Sequence, residues 1–123
     1  MCLESAIGQI KTDEAYTVTA ANGIGDWASL VDDIRAELAS GVAVGIISAK
    51  FHNALADWIL AVAQITGSRD VVLSGGVFQN AYLTRRSRRL LEDRGFNVFT
   101  HRQVPANDGG LALGQAVLAA MIN

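Results

Sequence analysis

The chain contains a single cysteine, Cys2, and a single proline, Pro105. One cysteine excludes an internal disulfide and leaves too few thiols for a cysteine-based zinc site. One proline against 12 glycines excludes a Pro-rich linker and puts the turn signals on glycine. Apolar runs stay short of the roughly 18 residues of a membrane span, and no basic segment precedes an apolar stretch at the start. The reading is therefore no membrane partner, no secretory signal and a cytoplasmic location. Charged residues amount to only 18% and hydrophobic ones to 50% of 123, which describes a globular chain and not a disordered one. Residues 1–123 are read as one domain, able to bury roughly two-thirds of its unfolded surface.

The net charge of −2 points to neither a nucleic-acid binder nor a polyanion, but its distribution is uneven. Residues 1–67 hold three basic residues against eight acidic ones, and residues 68–123 hold seven against four. Much of that surplus is Arg85, Arg86, Arg88, Arg89 and Arg94, so anions should prefer the second half. A helix would turn these arginines outward, and no stacking aromatics beyond Tyr82 are interleaved with them. A solvated face, open to a docking role, is the better reading than a nucleic-acid patch.

Residues 1–15 show no clear period. Tyr16-Thr17-Val18-Thr19-Ala20 alternates like a short strand, and Asn22-Gly23 with Gly25 marks a turn. Asp26 can cap a helix over about residues 27–40, with Trp27, Leu30, Val31, Ile34 and Leu38 at helical spacing and Gly41 as its stop. Residues 42–47 fit the start of a strand or a helix. Beyond them Ile47, Phe51, Leu55, Trp58, Val62 and Ile65 recur every three or four positions up to Gly67, predicting a long amphipathic helix. Val71-Val72-Leu73 reads as a strand buried on both faces, followed by a helix with Leu83, Leu90 and Leu91 on one side. Phe96-Asn97-Val98-Phe99-Thr100 is a second strand, and Asn107-Asp108 opens a last helix rich in Ala and Gly, which another element must approach closely. Strand, helix, strand, helix predicts parallel pairing with right-handed crossovers, an α/β layer.

Two segments carry chemical potential. In Val72-Leu73-Ser74-Gly75-Gly76-Val77-Phe78-Gln79-Asn80 a strand ends in paired glycines and a helix is expected at once. Helix N-termini favour anions, glycines let a phosphate approach the backbone, and strand carboxyl ends are where open α/β sheets bind ligands. The competing reading is a tight turn that needs small residues. It is neither a Walker A loop nor a GxGxxG fingerprint. In Asn107-Asp108-Gly109-Gly110, Asp108 either caps the last helix or offers its carboxylate to a metal or phosphate. His52 and His101 lie far apart with no metal-ligand spacing, and no nucleophile is assigned.

Taken in order, four segments resemble the C-terminal end of the hydrogenase-maturation carbamoyltransferase (HypF) family. They are Met1-Cys2-Leu3-Glu4, Ala49-Lys50-Phe51-His52-Asn53-Ala54-Leu55-Ala56, the segment 72–80, and Thr100 through Ala116. The resemblance implies one lobe of an actin/Hsp70/sugar-kinase-like (RNase H-like) domain. It is similar to the domains of tRNA threonylcarbamoyl-adenosine enzymes and O-carbamoyltransferases. It also implies a nucleotide site, for ATP or carbamoyl-adenylate, lined by Ser74, Gly75, Gly76, Val77, Asn80, Gly109 and Gly110. Asp108 is implied as a ligand of a divalent metal, of Mg or Fe/Zn type, shared with a first lobe. In the family, carbamoyl passes from carbamoyl-adenylate to the C-terminal cysteine of a HypE-type partner, toward the cyanide ligands of [NiFe] hydrogenase.

The adenylate-forming domain and the histidine-rich metal motif of the first lobe have no counterpart here. The expectation is a truncated or stand-alone C-terminal lobe, inactive by itself, whose partner is the missing lobe or a complementary carbamoyltransferase chain. The alternative is a non-catalytic module that keeps the fold and self-associates, with a homodimer as its form.

Overall fold

The computed structural model describes residues 3–21, 24–102 and 107–122. Cys2, the Asn22-Gly23 turn and the stretch containing Pro105 lie outside the described residues. Helix α1 (Leu3–Ile7) leads through an irregular segment to a hairpin of β1 (Thr19–Ala21) and β2 (Ile24–Asp26). Helices α2 (Ala28–Ala39) and α3 (Val44–Thr66) follow. Next come β3 (Asp70–Leu73), a 3-10 turn (Gly76–Gln79), α4 (Ala81–Asp93) and β4 (Asn97–Thr100). A second 3-10 turn (Asp108–Gly110) leads into α5 (Leu111–Ile122). Strands β3 and β4 pair in parallel, Asp70 opposite Asn97 and Leu73 opposite Thr100, with α4 as the crossover. The expected α/β architecture is therefore present.

Helix α3 organises the interior because it touches two separate apolar clusters. Its first half packs Ile47 and Ala54 with Tyr16 and Leu30, flanked by Trp27, Ile34 and Phe51. Its second half packs Leu60 and Ala63 with Leu73 and Leu91, flanked by Phe78, Phe96 and Val98. Leu83 and Leu91 are the largest fully enclosed side chains, each contributing about 1.5–3 kcal/mol through burial. Helix α1 crosses the start of α3 so closely that a Cβ on Gly45 would sit 2.4 Å from the Ala6 carbonyl oxygen. Only glycine permits that approach.

Several local expectations are corrected. Tyr16 is not in a strand but is a buried anchor of the first cluster, and strand structure begins at Thr19. Asp26 ends β2 and sits one residue before the N-cap of α2, which is Trp27, yet its Oδ1 still accepts from the Ala28 N–H at 2.9 Å. The apolar stripe of α3 is buried only in part: Ile65 stays 66% exposed, while Ser48, His52 and Asn53 are enclosed. Among the described residues β3 is covered on one face only: Val71 and Leu73 join the second cluster, where α3 and α4 both pack, and Val72 on the other face is 64% exposed. Among the described residues the main packing partner of α5 is its own leading turn, so the close approach expected of another element at its small-residue surface is not seen there. Its Leu111, Leu113, Val117, Leu118 and Met121 are all exposed. No helix among the described residues is long and apolar enough to cross a membrane.

Candidate functional site

Parallel pairing places the carboxyl ends of β3 and β4 on one edge, where Ser74 and His101 emerge side by side with Ser74 Oγ 2.8 Å from His101 Nε2. Gly75 then takes φ 104°, ψ 160°, a conformation that strains any L side chain, and the 3-10 turn Gly76–Gln79 follows. A Cβ at Gly76 would meet one described atom within reach, the Asn107 Cβ at 4.0 Å. Gly76 and Asn107 are therefore neighbours on one edge. Gly75 has open space on its Cβ side, so a ligand approaching there meets backbone. Among the described residues the Gly76 and Val77 N–H groups have no acceptor outside the turn, whereas the Phe78 N–H bonds to the Gly75 carbonyl at 3.1 Å.

The helix after the glycines starts later than the sequence suggested. Helix α4 begins at Ala81, and its first amides are already paired within the chain. The Leu83 N–H donates to Asn80 Oδ1 at 2.9 Å, and the Tyr82 N–H donates to Glu4 Oε1 at 3.1 Å. A phosphate on this edge would meet the 3-10 turn and not the end of α4, whose positive dipole the Glu4 carboxylate already faces. Asn80 thus has a structural task in addition to any ligand role. The second turn is also capped differently: Asn107 Oδ1 accepts from the Gly109 N–H at 3.0 Å, and Asp108 is left exposed beside Gly109 and the half-buried Gly110.

The residues present do not complete a metal centre, because no three His, Cys, Asp or Glu side chains converge among the described residues. Asp108 can supply at most one ligand to an ion held mainly by groups from elsewhere.

Sequence reasoning did not find what stands behind the edge. Ser48, His52 and Asn53 project from α3 into the space between α1, α4 and residues 12–14. Asn53 Nδ2 donates to the Thr12 and Glu14 carbonyls at 2.9 and 2.7 Å, and its Oδ1 accepts from the Tyr82 hydroxyl at 2.9 Å. Ser48 Oγ donates to the Leu3 carbonyl at 2.5 Å. The signals available were polar residues at i, i+4 and i+5 inside an apolar helix and the place of His52 and Asn53 in the resembling segment 49–56.

The arginine run is not a uniformly solvated face. Arg86 turns inward, 18% exposed, and donates to Asp13 at 2.8 Å. That hydrogen bond and the guanidinium charge hold the Asp13 carboxyl below its ordinary value. Asp57 is pushed up by burial, which outweighs the attraction of Arg86. Arg85, Arg86, Arg89 and Lys11 line an open groove of about 620 Å³ beside residues 8–13. None of the predicted site residues lines it.

Comparison with known proteins places these features in a family. Residues 1–115 match the family described as "Carbamoyltransferase, Kae1-like Domain, second subdomain". The carbamoyltransferase HypF of Synechocystis sp. is 36% identical over 119 residues, covering 94% of this chain and 15% of that protein. A crystal structure of full-length HypF in a phosphate- and nucleotide-bound form superposes on 98% of this chain and 17% of that one, with TM-score 0.86 and 38% identity. Thermococcal HypF (T. kodakarensis) gives TM-score 0.79 at 29% identity over 95% of this chain. The chain thus spans about a sixth of the length of these relatives and belongs to the HypF carbamoyltransferase family, as the second subdomain of its Kae1-like domain.

Proposed function

We propose that this chain supplies the nucleotide-facing half of a carbamoyltransferase site and acts only with a complementary lobe. The observation that carries the reading is the juxtaposition of the Gly75-Gly76 turn with Asn107 on the carboxyl edge of β3 and β4. A full-length HypF structure that matches 98% of this chain, and 17% of its own length, is described as phosphate- and nucleotide-bound, which supports a nucleotide as the ligand to test at this edge. Among the described residues the Gly76 and Val77 amides have no acceptor outside the turn and the Gly75 Cβ side is open, so these amides could hold an anionic oxygen. Ser74, fixed by His101, borders the same opening, and Asp108 contributes one carboxylate toward a divalent ion shared with the other lobe. Carbamoyl-adenylate, when bound, would supply the activated carbamoyl group, and ATP would occupy the same edge without one. This chain orients the adenylate, and the acceptor is a cysteine of a HypE-type partner.

The exposed side chains of α5 and the bare Val72 and Phe99 of the sheet form the surface that the complementary lobe would cover. The same exposure favours the second reading, self-association of this chain as a homodimer. Titration of Mg-ATP into the chain, alone and with the remaining HypF domains, followed by addition of carbamoyl phosphate and a HypE-type acceptor, tests the first reading. Weak binding alone, tighter binding together and carbamoyl transfer only in the mixture are expected. Carbamoyl transfer by the chain alone would overturn the proposal, and a tight homodimer that resists the added domains would favour the second reading.

A further inference from the structure

His52 is 3% exposed and lies between the helix that carries both apolar clusters and the turn at the candidate site. Its two ring nitrogens have partners whose roles are fixed by chemistry. Nδ1 lies 2.7 Å from the Ser48 carbonyl oxygen, which can only accept, so Nδ1 bears the proton. Ser48 Oγ stands farther off, at 3.5 Å. Nε2 lies 2.7 Å from Asn80 Nδ2. The orientation of the Asn80 carboxamide is itself fixed, because its other atom receives the Leu83 N–H, which can only donate. The Asn80 oxygen therefore faces Leu83, its NH2 group faces His52, and Nε2 is an unprotonated acceptor. The rings of Phe51 and Tyr82 meet the imidazole edge-on, with centroids 5.8 and 5.7 Å away, and fix its plane.

We propose that His52 is a positioning residue: as the neutral, Nδ1-protonated tautomer it holds the Asn80 carboxamide, and through it the junction of the glycine turn with α4. Asn80 is the hinge of that junction. Its N–H closes the 3-10 turn on the Val77 carbonyl at 3.1 Å, and its side chain caps α4. The Thr84 hydroxyl ties the Phe78 carbonyl to α4 from the other side at 2.9 Å. With His52 in place, the turn bearing the Gly76 and Val77 amides is set against α3. The functional consequence rests on the nucleotide reading above, whereas the link between His52 and Asn80 does not.

The test uses two substitutions that each keep one half of the imidazole. His52→Gln can place an acceptor near the former Nε2, facing Asn80, and His52→Asn keeps only the group near Nδ1, facing Ser48. Long-range nitrogen–proton NMR on the 123-residue chain should show His52 protonated at Nδ1. The Leu83 amide should stay protected from exchange in His52→Gln and lose about tenfold protection in His52→Asn, the worth of one hydrogen bond. Mg-ATP affinity should follow the same order. An Nε2-protonated His52, or equal loss of Leu83 protection in both variants, would overturn the proposal. Should the wild-type chain joined to the remaining HypF domains bind no nucleotide while the tautomer and the Leu83 contrast hold, the nucleotide reading falls and the positioning link stands.

Discussion

Removing the Asn53 side chain should cost more stability than removing any other single polar group behind the site. Asn53 is fully enclosed and makes three hydrogen bonds, two from Nδ2 to the Thr12 and Glu14 carbonyls and one accepted from the Tyr82 hydroxyl. At about 0.5–1.5 kcal/mol net for each bond, Asn53→Ala loses roughly 1.5–4.5 kcal/mol before any cavity cost is added. Tyr82→Phe gives up one of the three bonds and should cost about 1 kcal/mol. In the Asn53→Ala background that bond is already gone, so Tyr82→Phe should then cost little, leaving a coupling of about 1 kcal/mol between the two sites. Urea denaturation followed by tryptophan fluorescence reads all four proteins, since Trp27 and Trp58 pack edge-to-face at 6.1 Å. An Asn53→Ala cost below about 1 kcal/mol, or additive costs in the double variant, would refute the claim that Asn53 ties residues 12–14 and α4 to α3.

Gly45→Ala should lower Tm, because its Cβ would fall 2.4 Å from the Ala6 carbonyl oxygen and 2.5 Å from Ile10 Cδ1. Overpacking of about 1–3 kcal/mol outweighs the roughly 1 kcal/mol of helix propensity gained, and Gly114→Ala, whose Cβ meets nothing, is the control that keeps only the gain. The Lys50 hydrogen bond, with that of Tyr16, holds Glu37 below its ordinary value of 4.5. Its contribution is therefore present above that value and lost as pH falls through the lowered one. Glu37→Gln should accordingly lower Tm at neutral pH, and the gap to wild type should close in acid. Because Asn107 and not Asp108 caps the second turn, Asn107→Ala should speed amide exchange at the start of α5 by removing a cap worth about 1 kcal/mol, and Asp108→Ala should not.

The sequence made α3 readable because its apolar residues recur every three or four positions and Gly67 stops it in a left-handed conformation, φ 71°. The β3–α4–β4 unit was equally legible, since two short apolar runs flank a helix of the right length for a parallel crossover. Short elements were not. Helix α1 has five residues, and β1 and β2 have three each, too few for a period to show; they depend on packing against α3 and on pairing with one another. The start of α4 was misplaced because Ser74-Gly75-Gly76 was read as leading straight into a helix. The backbone instead uses Gly75 to enter a 3-10 turn and lets Asn80 open α4. At the candidate site the glycines and Asp108 carried a chemical reading, whereas His52, Asn53 and Glu4 lay inside segments that resemble the family but had no role read from them. Their importance comes from partners distant in sequence, which no local pattern encodes.

The most direct measurement is an NMR titration of the nitrogen-labelled chain with Mg-ATP, in the presence of the unlabelled remaining HypF domains. The account predicts that the largest nucleotide-dependent shifts fall on residues 74–77 and 107–110 together, and that Gly76→Val abolishes them while leaving Leu83 and Leu91 unshifted. Shifts concentrated instead on the groove of Lys11, Arg85, Arg86 and Arg89, with residues 74–77 unmoved, would contradict it.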